Sequence, residues 1–122
     1  MLLALAVAGA AGLGAVARYL LDQFVGQRAA GDFPHGTLLI NVSGSFLLGL
    51  MLGLAAHHGL ANAPTTVVGA GFAGGYTTLS TWAYETLALV EQRQYRQATV
   101  NVVASAGLGL AAAAAGLALA LA

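Results

Sequence analysis

The segment from Gly71 to Trp82 joins an adjacent glycine pair, Gly74 and Gly75, to a cluster of hydroxyl groups, in a stretch otherwise apolar enough to cross a bilayer. The hydroxyls belong to Thr77, Thr78, Ser80 and Thr81. Hydrocarbon offers no hydrogen-bond partners, so irregular polar backbone is tolerated at membrane depth only where it is buried in protein or lines a wet cavity. The segment therefore predicts a broken helix on a pathway or at a site. The alternative is an ordinary helix whose small residues pack closely on a neighbour.

Two further stretches carry polar side chains at helical spacing. One comprises Thr37, Asn41 and Ser45, and the other comprises Gln97, Asn101 and Ser105. Residues four apart share a helix face, so each set predicts a polar stripe. Taken singly, each residue is typical of a hydrogen bond between helices, worth about 0.6 kcal/mol on average in membranes. Together with the break they offer uncharged donors at mid-depth, which suits a small ion that must both enter and leave.

The few charged side chains stand near the ends of the predicted spans. Arg18 and Asp22 are four residues apart, and Glu85 follows the break. Arg18 and Asp22 are typical of an interfacial ion pair with extended side chains. The alternative is an electropositive vestibule in which Arg18 concentrates an anion. Position alone gives Glu85 no transport role, and the three histidines, at helix ends, are assigned none.

Membrane helices must hold these groups, because the composition cannot cover a water-soluble surface. The chain is 59% hydrophobic and only 7% charged, with a mean hydropathy of +0.83, whereas soluble domains are roughly 25% charged. A span needs about 20 residues, so four spans with short links occupy all 122 residues. Zero net charge without Lys argues against a nucleic-acid partner. The absence of Cys excludes disulfides.

Interruptions of the apolar pattern predict helices at about 2–26, 34–57, 63–91 and 96–121, within one channel domain of residues 1–122. The third helix is expected to break near Gly74 and Gly75. The first span lacks a basic leading region and further apolar segments follow it, so it is interpreted as a retained helix rather than a signal peptide. The predicted fold class is an all-α membrane protein with four transmembrane helices.

Four segments resemble, in order and spacing, those of the Fluc/CrcB fluoride channels: 12–19, 36–46, 71–82, and Asn101 with Ser105. The resemblance spans essentially the whole chain. It implies a multi-pass cell-membrane protein that inserts in both orientations and forms an antiparallel dimer with two pores at its interface. It also implies passive, fluoride-selective export without enzymatic chemistry. HF enters cells as a neutral acid, ionises in the more alkaline cytoplasm, and is trapped there unless the anion has an exit.

The resemblance assigns roles residue by residue. Arg18 matches a vestibule arginine, and Gly74 and Thr77 match positions whose backbone carbonyls hold a structural Na⁺ at the dimer centre. The family typically has two phenylalanines with anion-contacting ring edges where this chain has Leu79 and Trp82. A ring edge is electropositive; Leu cannot replace it, whereas Trp offers an edge or its indole N–H. The expected fluoride pore comprises Thr37, Asn41, Leu79, Ser80, Thr81, Trp82, Asn101 and Ser105.

Other interpretations remain open at this stage. A small four-helix drug/proton antiporter would need a membrane-embedded carboxylate in helix 1, and helix 1 has no acid before Asp22. A non-conducting assembly subunit is excluded only by a flux measurement. Three link arginines, Arg28, Arg93 and Arg96, fall on one side of the predicted bundle, which favours termini outside. A homodimer among membrane lipid is expected, with a heterodimer of two family members as the alternative.

Overall fold

Five helices build the molecule in a computed structural model that describes all residues from 1 to 122. α1 spans Leu2–Gly26, α2 spans His35–His57 and α5 spans Tyr95–Leu121. Between α2 and α5 the chain forms two consecutive pieces, α3 over residues 62–76 and α4 over Leu79–Glu91. There are no strands, so the predicted all-α class is confirmed.

Three of the helices are long and apolar enough to cross a membrane. The mean hydropathy is 1.6 for α1 and 2.0 for both α2 and α5. α4 has 13 residues, fewer than the roughly 20 that a crossing needs, so α3 and α4 together make one interrupted span. The chain is therefore a multi-pass membrane protein.

The interruption lies at Thr77 and Thr78, just beyond the predicted position at Gly74 and Gly75. Gly74 is helical, with φ −63° and ψ −39°. Thr77 has ψ 158°, and Thr78 has φ −148° and ψ 120°, so both are extended. The break lies a few residues beyond the glycine pair because glycine permits a break without requiring one. Thr78 ends the helix instead, since it adopts the extended conformation of an N-cap and its side chain accepts the Thr81 N–H.

α3 is not a uniform helix. It begins with the α-turn Asn62–Thr65, continues as the π-helix Thr66–Ala73 and closes with the short α-helix Gly74–Tyr76. π-helical segments are rare, are mostly single turns, and often lie at functional sites. The sequence of this stretch, TVVGAGFA, contains no signal that predicts the π form.

α1 packs along α3 in parallel, with the two backbones in close contact. A Cβ added at Gly14 would overlap the Phe72 carbonyl, and one added at Gly75 would overlap the Ala11 carbonyl. Small residues allow such an approach, which stabilises helix pairs in lipid through van der Waals contact. Gly75 therefore has a packing role in the subunit.

α2 and α5 form a second parallel pair, and theirs is the most extensive helix contact in the molecule. Gly49 lies against the Ala113 carbonyl. Where both helices end, the His58 ring nitrogen Nε2 is 2.6 Å from the Ala120 carbonyl oxygen. The pair places the polar stripe of α2 beside that of α5.

α4 is the least covered element. Leu79, Tyr84 and Leu87 are 76%, 74% and 56% exposed, whereas Leu89 is buried. This apolar face adjoins the break between α3 and α4. In a membrane it must be covered by lipid or by another subunit.

Candidate ion pathway

The side-chain amide of Asn41 pairs with the backbone of Thr78 at the break. Asn41 Oδ1 accepts the Thr78 N–H at 2.8 Å, and Asn41 Nδ2 donates to the Thr78 carbonyl at 2.9 Å. Thr78 is only 8% exposed, and buried backbone groups need partners. One α2 side chain thus satisfies both backbone groups of the residue at the centre of the break.

Gly44 allows α2 to come this close. A Cβ added at Gly44 would overlap the Thr77 methyl group. Ser43, beside it, has its hydroxyl 2.8 Å from the Tyr76 hydroxyl at the end of α3. α2 therefore contacts the third span through a small residue flanked by polar groups.

The hydroxyl side chains after the break converge on Thr78. Its Oγ1 accepts the Thr81 N–H at 3.1 Å, donates to Thr81 Oγ1 at 3.0 Å and lies 3.4 Å from Ser80 Oγ. The first bond is an N-cap, which satisfies an otherwise unpaired amide of the first turn. The predicted hydroxyl track is therefore a connected group, centred on a residue to which the sequence analysis assigned no pore role.

Backbone carbonyls lose their helical donors at the break, and those of Gly74 and Thr77 are among them. In a continuous helix the N–H of Thr78 would bond to Gly74, and that of Thr81 to Thr77. Both donors instead bond to side chains, those of Asn41 and Thr78. The Thr77 carbonyl accepts a hydrogen bond from Arg18 Nη1 at 3.3 Å. Arg18 thus reaches the break itself as well as lining the cavity described below.

A cavity of about 390 Å³ adjoins the break on one side. It contains four of the predicted pore residues, Asn41, Leu79, Trp82 and Ser105. Because Leu79 is 76% exposed, this larger cavity opens at the surface of the subunit. The remaining lining residues are Ser45, Leu48, Thr77, Thr78, Val102 and Ala106.

A smaller cavity of about 150 Å³ lies on the other side of Thr78, which lines both. It brings together Arg18, Thr37 and Thr81. Asp22 lines it as well. A carboxylate therefore accompanies the guanidinium, and the cavity is not lined by positive charge alone.

Two predicted pore residues lie outside both cavities. Asn101 is fully buried, with 0% exposure, and its Nδ2 donates to Thr86 Oγ1 on α4 at 2.9 Å. Ser105, which lines the larger cavity, makes only a long contact with Asn101, from Oγ to Oδ1 at 3.5 Å. Ser80 is the second residue outside both cavities; it is exposed and contacts Thr78. Asn101 thus joins α5 to α4 within the subunit.

Three buried polar atoms have no hydrogen-bond partner: Trp82 Nε1, Glu85 Oε2 and Gln97 Oε1. Each unpaired buried group costs about 1–3 kcal/mol, so each requires an explanation. The Trp82 indole carries a donor only, and its ring lines the larger cavity. The indole N–H therefore has no hydrogen-bond partner in the isolated subunit.

Thr78 and Thr86 are both absent from the pore residues predicted from the sequence. Thr78 carried a usable signal, because a threonine ahead of an apolar helix is a common N-cap. Thr86 did not, since its hydroxyl bonds to the Trp82 carbonyl within its own helix and its contact with Asn101 joins separate helices. The pairing of Asn41 with Thr78 likewise spans 37 positions in the chain.

Four spans, one of them interrupted around uncharged polar groups between two cavities, define a small multi-pass membrane protein of the channel or carrier class. The chain belongs to the CrcB family: residues 5–117 match the family described as CrcB-like protein, Camphor Resistance (CrcB). The predicted family resemblance is therefore confirmed.

Curated relatives extend over most of the chain. Fluoride-specific ion channel FluC 1 of Leifsonia xyli subsp. xyli is 54% identical over 102 residues, which cover 84% of this chain and 74% of that one. FluC 2 of Mycobacterium bovis is 47% identical over 97 residues, covering 80% and 74%. FluC of Geobacter sulfurreducens is 44% identical over 108 residues, covering 88% and 86%.

Proposed function

We propose that this protein is a subunit of a passive, fluoride-selective channel that exports cytoplasmic fluoride across the cell membrane. The single observation that carries the proposal is the clamped break: uncharged amide and hydroxyl groups meet at Thr78, between two cavities, within a membrane span. The relatives above are named fluoride-specific ion channels. Export of the anion gives fluoride resistance, because HF that ionises inside a cell cannot leave by itself.

Arg18 and the hydroxyl groups provide the entrance of the proposed pathway. Arg18 attracts an anion into the smaller cavity, where Thr37 and Thr81 can replace part of its hydration shell. Asp22, in the same cavity, limits how tightly the anion is held. A balance of this kind suits conduction, which requires that an ion can leave as readily as it enters.

Trp82 and Ser105 continue the proposed pathway in the larger cavity. The buried Trp82 N–H has no partner within the subunit, and in this proposal it donates to the anion where the family typically presents an aromatic ring edge. Leu79 offers no comparable group. Asn101, fully buried against Thr86, supports the pathway by positioning α4 rather than by contacting the ion.

A second, antiparallel copy of the subunit completes the pathway in this proposal. The larger cavity is open at the surface, and the exposed apolar face of α4 lies beside it. An apolar surface next to polar groups is suited to burial against another protein. Two copies related by a twofold axis would close two such cavities and form two pores, with lipid covering the outer helices.

A structural Na⁺ at the dimer centre fits the donors at the break. The Gly74 carbonyl has lost its helical donor to Asn41, and oxygen ligands suit a hard cation. Gly74 is also exposed in the isolated subunit. Thr77 would supply a second carbonyl, but only after the Arg18 guanidinium moves away from it.

Fluoride efflux from liposomes that contain only the purified protein tests the function. The expected result is rapid fluoride release once a counter-ion path is provided, with no comparable release of chloride. Release that requires a proton gradient would favour the small antiporter. Absence of flux from a well-folded dimer would favour the non-conducting assembly subunit.

Insertion orientation tests the composition of the dimer. A homodimer requires both orientations in similar amounts, whereas Arg28, Arg93 and Arg96 bias a single chain toward external termini. A topology reporter at the C-terminus of the protein expressed alone distinguishes the two. Equal populations with full efflux support the homodimer; mostly external termini with poor flux support a heterodimer with a second family member.

A further inference from the structure

Asn41 uses its amide in a way that a simple pore-lining role does not require. Both backbone groups of Thr78 bond to it, at 2.8 and 2.9 Å. Such two-point pairing resembles that of a neighbouring strand rather than a contact with a passing ion. Thr78 is 8% exposed, so little solvent reaches its backbone groups to replace either bond.

The bond to the Thr78 N–H determines the state of the Gly74 carbonyl. These two groups are four residues apart and would bond to each other in a continuous helix. Without Asn41, the buried N–H would be left unpaired, which is unfavourable, or would return to Gly74. Return to Gly74 removes the carbonyl from any other ligand.

We propose that Asn41 is a positioning residue that holds the third span open and keeps the Gly74 carbonyl available to a cation. The inference rests on the proposed sodium site and deepens it by naming the side chain that maintains it. An Asn amide has two N–H donors and two acceptor lone pairs. The two hydrogen bonds to Thr78, called the clamp below, use one donor and one acceptor. Asn41 therefore retains one N–H for the larger cavity, which it lines.

Two substitutions at the same position separate these roles. Asn41→Ala removes the acceptor of the Thr78 N–H. Asn41→Asp keeps an oxygen acceptor for that N–H and, when its carboxyl is ionised, loses the donor to the Thr78 carbonyl. Na⁺ binding is measured as the rise in the thermal midpoint of the purified full chain with increasing NaCl, using N-methylglucamine chloride to keep chloride and ionic strength constant.

Asn41→Ala should weaken Na⁺ binding by about 10- to 100-fold, the usual effect of losing a group that orients a metal ligand. Asn41→Asp should leave the Na⁺ midpoint, the NaCl concentration that gives half of the rise in thermal midpoint, near that of the wild type. It should abolish fluoride efflux. Asn101→Ala is the matched control, because the Asn101 side chain also bonds to the third span, at Thr86, but does not contact the break. Its Na⁺ midpoint should remain unchanged.

Equal Na⁺ midpoints in the wild type and Asn41→Ala would overturn the positioning role alone. A wild-type protein without any sodium dependence would overturn both this role and the proposed sodium site, while fluoride efflux would still report separately on the channel. If Asn41→Ala does not fold, Asn41→Asp decides the question: a loss of sodium binding as large as that expected for Asn41→Ala would contradict the clamp.

Discussion

α2 contacts its neighbours in two different ways on its two sides. Toward α5 it presents glycines, and a Cβ at Gly49 would overlap the Ala113 carbonyl. Toward the third span it presents Asn41, which forms two hydrogen bonds to Thr78. Without a hydrophobic driving force between helices in lipid, close packing holds the first contact and hydrogen bonding the second. The first should be sensitive to added volume and the second to a lost or altered polar group.

The largest expected effect is at the glycine contact of α2 with α5. A Cβ at Gly116 would overlap the Phe46 carbonyl, whereas one at Gly107, also on α5, would meet nothing within 4 Å. Gly116→Val should destabilise the subunit by about 3 kcal/mol or more, since a backbone cannot move aside as a side chain can. Gly107→Val should fold normally. Recovery of monodisperse protein and its thermal midpoint in detergent measure both, and similar stability of the two variants would contradict the close packing.

The next largest effect concerns the polar side of α2, where function should be lost without loss of fold. Asn41→Asp adds no volume and keeps an acceptor for Thr78, but it places a carboxylate beside the larger cavity. Fluoride efflux should be abolished while the protein remains folded and assembled. Normal efflux from a well-folded Asn41→Asp protein would remove Asn41 from the anion pathway.

Gly74 and Gly75, adjacent in the third span, differ in how closely another helix packs against them. A Cβ at Gly75 would overlap the Ala11 carbonyl, but the atom nearest to one at Gly74 is 4.0 Å away. Gly75→Val should therefore destabilise the subunit, but by less than Gly116→Val, because α1 and α3 share a less extensive contact than α2 and α5. Gly74→Val should leave the subunit folded and lower sodium binding or dimer stability, because a β-branched residue restricts the backbone. A Gly74→Val channel with unchanged flux and dimer stability would exclude a role for Gly74 at the dimer centre.

The smallest expected effect is at Trp82, the only tryptophan in the chain. If its unpaired N–H donates to fluoride, the indole emission should change saturably on titration with fluoride and not with chloride. Trp82→Phe replaces the N–H by a ring edge, so the protein should fold and conduct, with altered discrimination between the two anions. Emission that does not respond to fluoride would place the anion elsewhere.

Much of the architecture could be predicted from local features of the sequence. Composition and the lengths of the apolar stretches required a helical membrane protein, because few charged side chains are available to cover a water-soluble surface. The order of the motifs identified the family. The spacing of Thr37, Asn41 and Ser45 correctly placed the three residues on one helix. It did not reveal that Thr37 and Asn41 line different cavities.

The sequence by itself determined the membrane class, the family and the set of polar residues available for an ion pathway, because these depend on composition and spacing. Only the tertiary structure decided which hydrogen bonds those residues make. The break lies at Thr77 and Thr78, just beyond the glycine pair, because Asn41, on another helix, provides partners for the backbone of Thr78. Asn101 likewise became a buried link because Thr86 lies opposite it. A buried polar group bonds to whatever the fold brings beside it.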